Sequence, residues 1–242
     1  MAVNNSLARK PIQDKMIEYQ VNGETVRLSP SIVRQYLVSG SGNVTDQEVV
    51  FFLNMCKYQK LNPLTKDAHL VKYGSQPATI IVGKDALLKR AMNNPKYAGH
   101  QAGVIVRKED GTLEYRIGSM TLDNEELVGG WAKTYVKGYE VPIESSVSMR
   151  EYIGTKGDGT VNAMWGGKPG TMIRKVALTT SLKEAFPDDL AGMYSSEEVG
   201  VDFDETAAAA PVEIPPQEMP QELPPEPPMP EQQTTMEELQ GF

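Results

Sequence analysis

The stretch KPGTMIRKVALTTSLKEAF, residues 168–186, decides the fold. Its apolar residues are Met172, Ile173, Val176, Ala177, Leu178, Leu182, Ala185 and Phe186, and on a helix they cover most of the circumference. At roughly 100° per residue, the clearest polar gap holds Gly170, Arg174 and Ser181. A helix apolar on most sides is largely buried, and its gap reads as a narrow functional or solvated edge.

Upstream the pattern changes to strands. HQAGVIVRK, a turn at Glu109-Asp110-Gly111, LEYRI, GWAKTYVK and the run from Tyr139 to Met149 predict three to five antiparallel strands. AHLVKY (68–73) and ATIIV (78–82) flank the turn-prone GSQP and predict a hairpin, and Lys84 to Asn93 reads as a helix closed by Asn94-Pro95. Nearer the start, Asn22-Gly23 predicts a small hairpin. Ser29-Pro30 opens a helix expected to run to Gly40. Thr45-Asp46-Gln47-Glu48 is a capping box, with Val44 and Val49 placed as a hydrophobic staple, for a helix that Asn62-Pro63 should end. GTKGDGT (154–160) reads as a flexible loop.

Charge divides the chain. All 24 Lys and Arg lie at or before Lys183, whereas residues 187–242 hold no base and 14 Asp and Glu. Nine of the 20 residues 211–230 are proline, interleaved with glutamate, a composition that cannot bury enough apolar surface to fold. The expectation is a folded basic body followed by a disordered acidic, Pro-rich tail. A basic body suggests a polyanion partner. The tail either competes with that polyanion, docks partners through its terminal TTMEELQGF, or serves only as a solubilising appendage. No run approaches a membrane span and the N-terminus lacks the apolar core of a signal peptide, so a soluble cytoplasmic protein with no membrane partner is expected.

Absent chemistry narrows the function. GTKGDGT and GGKPGT both fail the spacing of a G-x-x-x-x-G-K-[ST] phosphate loop. One cysteine, Cys56, and two histidines, His69 and His100, leave no C-x-x-C or H-E-x-x-H metal motif. No E-x-K tripeptide of the common nuclease type occurs. The expectation is a binding protein that is not an enzyme and needs no cofactor or metal.

Present chemistry points to nucleic acid. From Lys57 to Lys137 there are 13 bases and eight acids, with Tyr58, Tyr73, Tyr97, Tyr115, Trp131 and Tyr135 among them. From Trp165 to Lys183 there are four bases and no acid. Cations that neutralise phosphates and aromatic faces for unpaired bases are what a single strand requires. Lys72, Lys84, Lys89 and Lys133 are candidate contacts in the first stretch. Gly166, Gly167 and Gly170 would allow close backbone approach to a phosphate in the second.

Two blocks carry a resemblance. LNPLTKDAHLVKY (61–73) with IIVGKDALLKRA (80–91), and then MWGGKPGTMIRKVALTTSLKEAFPDDLAGMY (164–194), are similar in order and spacing to the Bet/RecT group of phage recombination proteins. The resemblance spans about residues 30–198. It implies an α+β fold like the Rad-type annealing proteins: N-terminal helices and a bent antiparallel sheet packed on a long helix. It implies an ATP-independent protein that binds single-stranded DNA, promotes pairing through an annealed duplex intermediate, and assembles into rings or helical filaments. A phage exonuclease and a host single-strand-binding protein are the implied partners. The alternative is a passive single-stranded DNA-binding accessory protein. Carried over by position, Lys66, Trp165, Lys168, Arg174 and Lys175 are DNA-binding candidates, and Lys183 stands where arginine is common in the family. Trp165 either stacks on a base or is a core indole. The organisation implied is a DNA-binding and oligomerisation core, residues 1–198, and the tail, 199–242.

Overall fold

The structure is a computed structural model that describes residues 14–156 and 158–200. The N-terminal hairpin forms as expected. β1 (Ile17–Val21) pairs antiparallel with β2 (Glu24–Leu28) around Asn22 and Gly23, both at positive φ, which is what a two-residue hairpin loop demands. The Tyr19 hydroxyl donates to the Leu61 carbonyl at 2.7 Å and ties the hairpin to the body.

The next helix is shorter than its pattern. α1 (Pro30–Ile32) starts on the Ser29 cap, but the chain then widens into a π turn at Val33–Leu37 and leaves as β3 (Val38–Ser39). Tertiary pairing overrides helix propensity here. β3 lies parallel to β4, Ser39 accepts from the Lys72 amide, and Gly42 donates to the Lys72 carbonyl. This parallel pair was not expected from the sequence.

α2 (Asp46–Tyr58) has both halves of its capping box. It ends four residues before Asn62-Pro63, because Lys60 enters the left-handed region. Asn62 caps a 3-10 turn at Pro63–Thr65 instead, and the Asp67 carboxylate accepts from the Asn62 amide. β4 (Ala68–Val71) and β5 (Thr79–Val82) form the expected hairpin, and α3 (Lys84–Asn93) follows.

The main sheet has four antiparallel strands in the order β7-β6-β8-β9: β6 (Tyr97–Arg107), β7 (Leu113–Ile117), β8 (Glu126–Val136) and β9 (Ile143–Ser148). Register shifts between Tyr97 and His100 and between Ile105 and Val106 bend it. Short helices α4 (Met149–Tyr152) and α5 (Ala163–Gly167) lead to α6 (Pro169–Ala185), and α7 (Pro187–Leu190) follows. Thr155 and Val161 bridge the expected loop between α4 and α5. The fold is mixed α+β with the long helix on the bent sheet.

One expectation about α6 is corrected. Its polar gap packs against the sheet, with only Arg174 keeping part of its side chain exposed. Gly170 is buried, and a Cβ there would meet the Ser119 carbonyl at 2.5 Å. Arg174 donates from Nε to the Ala102 carbonyl at 3.2 Å. Ser181 shares a hydrogen bond with Thr134 at 2.7 Å and donates to the Ile143 carbonyl at 3.0 Å. Opposite them, Gly130 lets the β8 backbone approach Ile173. Small and polar residues on this side let helix and sheet backbones come close. The apolar sides of α6, including Ile173, Val176, Leu178 and Leu182, fill the core.

Candidate nucleic-acid interface

The predicted contact residues do not form one surface. Lys72 is 6% exposed, and its ammonium lies 2.8 Å from both oxygens of Glu48. Trp165 is 3% exposed, its amide bonded to the Asn162 side chain, so it serves as the core indole in this conformation. Lys175 pairs with Glu197 at 3.1 Å, and Lys183 pairs with Glu198 at 2.7 Å while lying over the Tyr194 ring. Lys133 pairs with Glu144 across the strands at 2.7 Å. The acid-free look of residues 165–183 is thus offset by acids that come back from the following segment.

Three predicted cations keep free donors. Arg174 uses only Nε, among the described residues, so its two terminal nitrogens have no partner there. Lys66 and Lys168 carry no ion pair among the described residues. Lys168 is exposed beside Gly166 and Gly167, where added side-chain atoms would meet open space. Arg174 and Lys84 both act on His100. Burial and then the two cations push the His100 imidazole below its ordinary range, and its Nδ1 shares a hydrogen bond with the Tyr97 hydroxyl. Two elements therefore direct charge at the neutral imidazole of β6: Lys84 from α3 and Arg174 from α6.

The clearest concave surface runs beside α3. One cleft of about 320 Å³ is lined by Lys60, Lys89, Arg90, Asn93, Asp67 and Asp189 among others. A second, of about 600 Å³, includes Lys66, Lys89, His69 and Met92. The two share Asp67, Ala86 and Lys89. The acids here have structural work: Asp67 holds the Asn62 amide, and Asp189 accepts from the Asn94 side chain at 2.6 Å. The exposed Lys89 reaches the buried Asp67 only at 3.5 Å, and Lys84 pairs with the exposed Asp85 at 3.2 Å; the latter is a pair of the kind that contributes little and exchanges readily for a phosphate. Lys66 is fixed at the rim by a left-handed backbone, φ 67°, at the end of the 3-10 turn. Exposed Met92 adds an apolar face to the second cleft. Lys60 and Arg90 were missed by the sequence reading. Both adjoin the quoted blocks, Lys60 one residue before LNPLTK and Arg90 within LLKRA, and that adjacency was the usable signal.

Residues 24–211 match the RecT family. The chain belongs to the RecT family. Among curated proteins no match is found. RecT membership makes the chain a phage single-strand annealing recombination protein, a class that binds single-stranded DNA and oligomerises. The RecT match spans both quoted blocks and therefore the clefts beside α3 and the whole of α6. No helix among the described residues is long and apolar enough to cross a membrane.

Proposed function

We propose that this RecT-family chain anneals complementary single strands without nucleotide hydrolysis, holding one strand by its sugar-phosphate along the clefts beside α3. The observation that carries this reading is the clustering of Lys60, Lys66, Lys89 and Arg90 around two adjoining concavities. Lys84, Lys168 and Arg174 extend the cationic surface. Phosphate contacts carry no sequence information, so binding is sequence-tolerant and leaves base edges free to pair. Once pairing begins, stacking supplies about 1.4 kcal/mol per step, enough to drive the reaction without ATP.

The test is a strand-annealing assay with complementary oligonucleotides in nucleotide-free buffer. Faster pairing than the protein-free control supports the reading; slower pairing means a passive coat. On the same reading, residues 1–198 bind DNA and assemble. The acidic stretch from 199 onward docks a phage exonuclease or the host single-strand-binding protein in the bacterial cytoplasm. That stretch lies beyond the described residues after Gly200.

A further inference from the structure

Residues 195–198, Ser-Ser-Glu-Glu, return across α6 after α7 and cover two of its cations. Glu197 takes the Lys175 ammonium at 3.1 Å, and Glu198 takes Lys183 with both oxygens at 2.7 Å. Ser195 and Ser196 are buried with them. Between Trp165 and Lys183 the chain carries no acid, so these carboxylates come to that stretch from outside it. We propose that this strap is an autoinhibitory cover, its two carboxylates standing where phosphates bind on a second single-strand site, and that the strand's own backbone opens the site by displacing them.

The strap and its root are held differently. At the root, Leu190 and Met193 lie in the core, and the Tyr194 carbonyl accepts from the Val82 amide at 2.8 Å. Past Tyr194 the segment folds on itself: the Ser195 amide donates to Glu198 at 2.8 Å, and the Val199 amide to the Ser195 carbonyl at 3.3 Å. Its polar attachment to α6 runs through the two lysine pairs. Ser195 Oγ and Glu197 Oε2 are buried with no hydrogen-bond partner among the described residues. A buried oxygen left unpaired costs free energy that exposure to water returns, so the closed strap is held less firmly than its burial suggests. A phosphodiester brings the anionic oxygens the lysines need, and its counterions are released as it binds. Strap and strand therefore compete for the same ammoniums, and the root keeps a displaced strap tethered. The apparent affinity is then the open site's affinity reduced by the fraction of molecules that are open.

This inference rests on the single-strand-binding reading, yet it is measured by affinity rather than by annealing. Four full-length forms are compared on a poly-dT oligonucleotide: the wild type, Glu197→Gln with Glu198→Gln, Lys175→Gln with Lys183→Gln, and all four changes together. Without their carboxylates the covered ammoniums drive the strap open. The form lacking both glutamates should therefore bind about tenfold tighter or more, because more of its molecules are open. Its log–log salt slope should steepen by about 0.7 for each lysine engaged. The quadruple variant should lose that gain. Removing the lysines from the wild type should change affinity far less, since contact and competitor are lost together. An unchanged affinity, or a gain that survives loss of the lysines and so reflects net charge alone, would overturn the proposal. Should the variants fail to fold, hydrogen exchange of the wild type decides: the Ser195 and Val199 amides should exchange faster with the oligonucleotide bound, and equal or slower exchange rejects displacement of the strap. Accelerated pairing without the affinity gain sinks the strap alone; the affinity gain with slowed pairing sinks the annealing reading alone.

Discussion

Glu48 and Lys72 form a partly buried ion pair in which both carboxylate oxygens lie 2.8 Å from the ammonium. The same carboxylate accepts from the Thr45 amide in the capping box and from the Ala78 amide before β5. One side chain thus joins the start of α2 to the β4–β5 hairpin. Glu48→Ala should destabilise the fold by roughly 3–5 kcal/mol, since it strands a buried ammonium and removes a cap. Chemical denaturation of the variant measures this.

The pair also sets a pH response. Burial acts to raise the Glu48 carboxyl, but Lys72 and the Thr45 and Ala78 amides outweigh it and hold the group near about 2, against an ordinary 4.5. The folded value lies below the unfolded one, so the stabilisation is complete above the unfolded value and fades as pH falls from about 4.5 toward 2. The melting temperature of the wild type should drop across that window, and Glu48→Gln should reduce the slope.

Trp165→Ala should cost about 3–5 kcal/mol of stability through the cavity it leaves. Single-stranded DNA affinity measured well below the melting point should stay near wild type. A large loss of affinity in a folded variant would show that the indole leaves the core to meet the strand.

Lys66→Glu combined with Lys89→Glu should weaken single-stranded DNA binding tenfold or more without unfolding the chain. Each lost phosphate contact should flatten the log–log salt dependence by about 0.7. Lys175→Met should behave differently. It leaves the Glu197 carboxylate buried without this lysine, so thermal stability falls first. Binding isotherms over a salt series, paired with melts, separate the two classes.

Cys56 is fully buried on α2, and burial raises its thiol well above the ordinary range. The native protein should react with a thiol-specific reagent at least a hundredfold more slowly than the denatured chain. An absorbance assay in native buffer and in denaturant compares the two rates.

Much of the architecture was readable locally. Asn22-Gly23, the Thr45–Glu48 box and the period-two alternation of β7 each carry their structure within a few residues. β3 was hidden because its two residues become a strand only through Lys72, more than thirty positions away. The α6 edge was misread for a related reason. Periodicity shows that Gly170, Arg174 and Ser181 share a side, but only the sheet's backbone carbonyls and the Thr134 hydroxyl explain why small and polar residues are wanted there. The site was harder still. Composition counted Lys175 and Lys183 as free cations, and their partners Glu197 and Glu198 follow them by 22 and 15 residues.

The register shift between Ile105 and Val106 makes the central strands intolerant of length change. Deleting one residue from β6 on the Tyr97 side of that point would exchange Ala102 and Val104 with Gly103 and Ile105 across the sheet. Methyl groups that now meet α6 would turn away from it, and Gly103, which fits because it brings no atoms against the Arg116 carbonyl, would give up its place to a larger neighbour. The tip between Lys108 and Thr112 is exposed, so related chains should vary in length there and keep an unchanged residue count through the strand it follows.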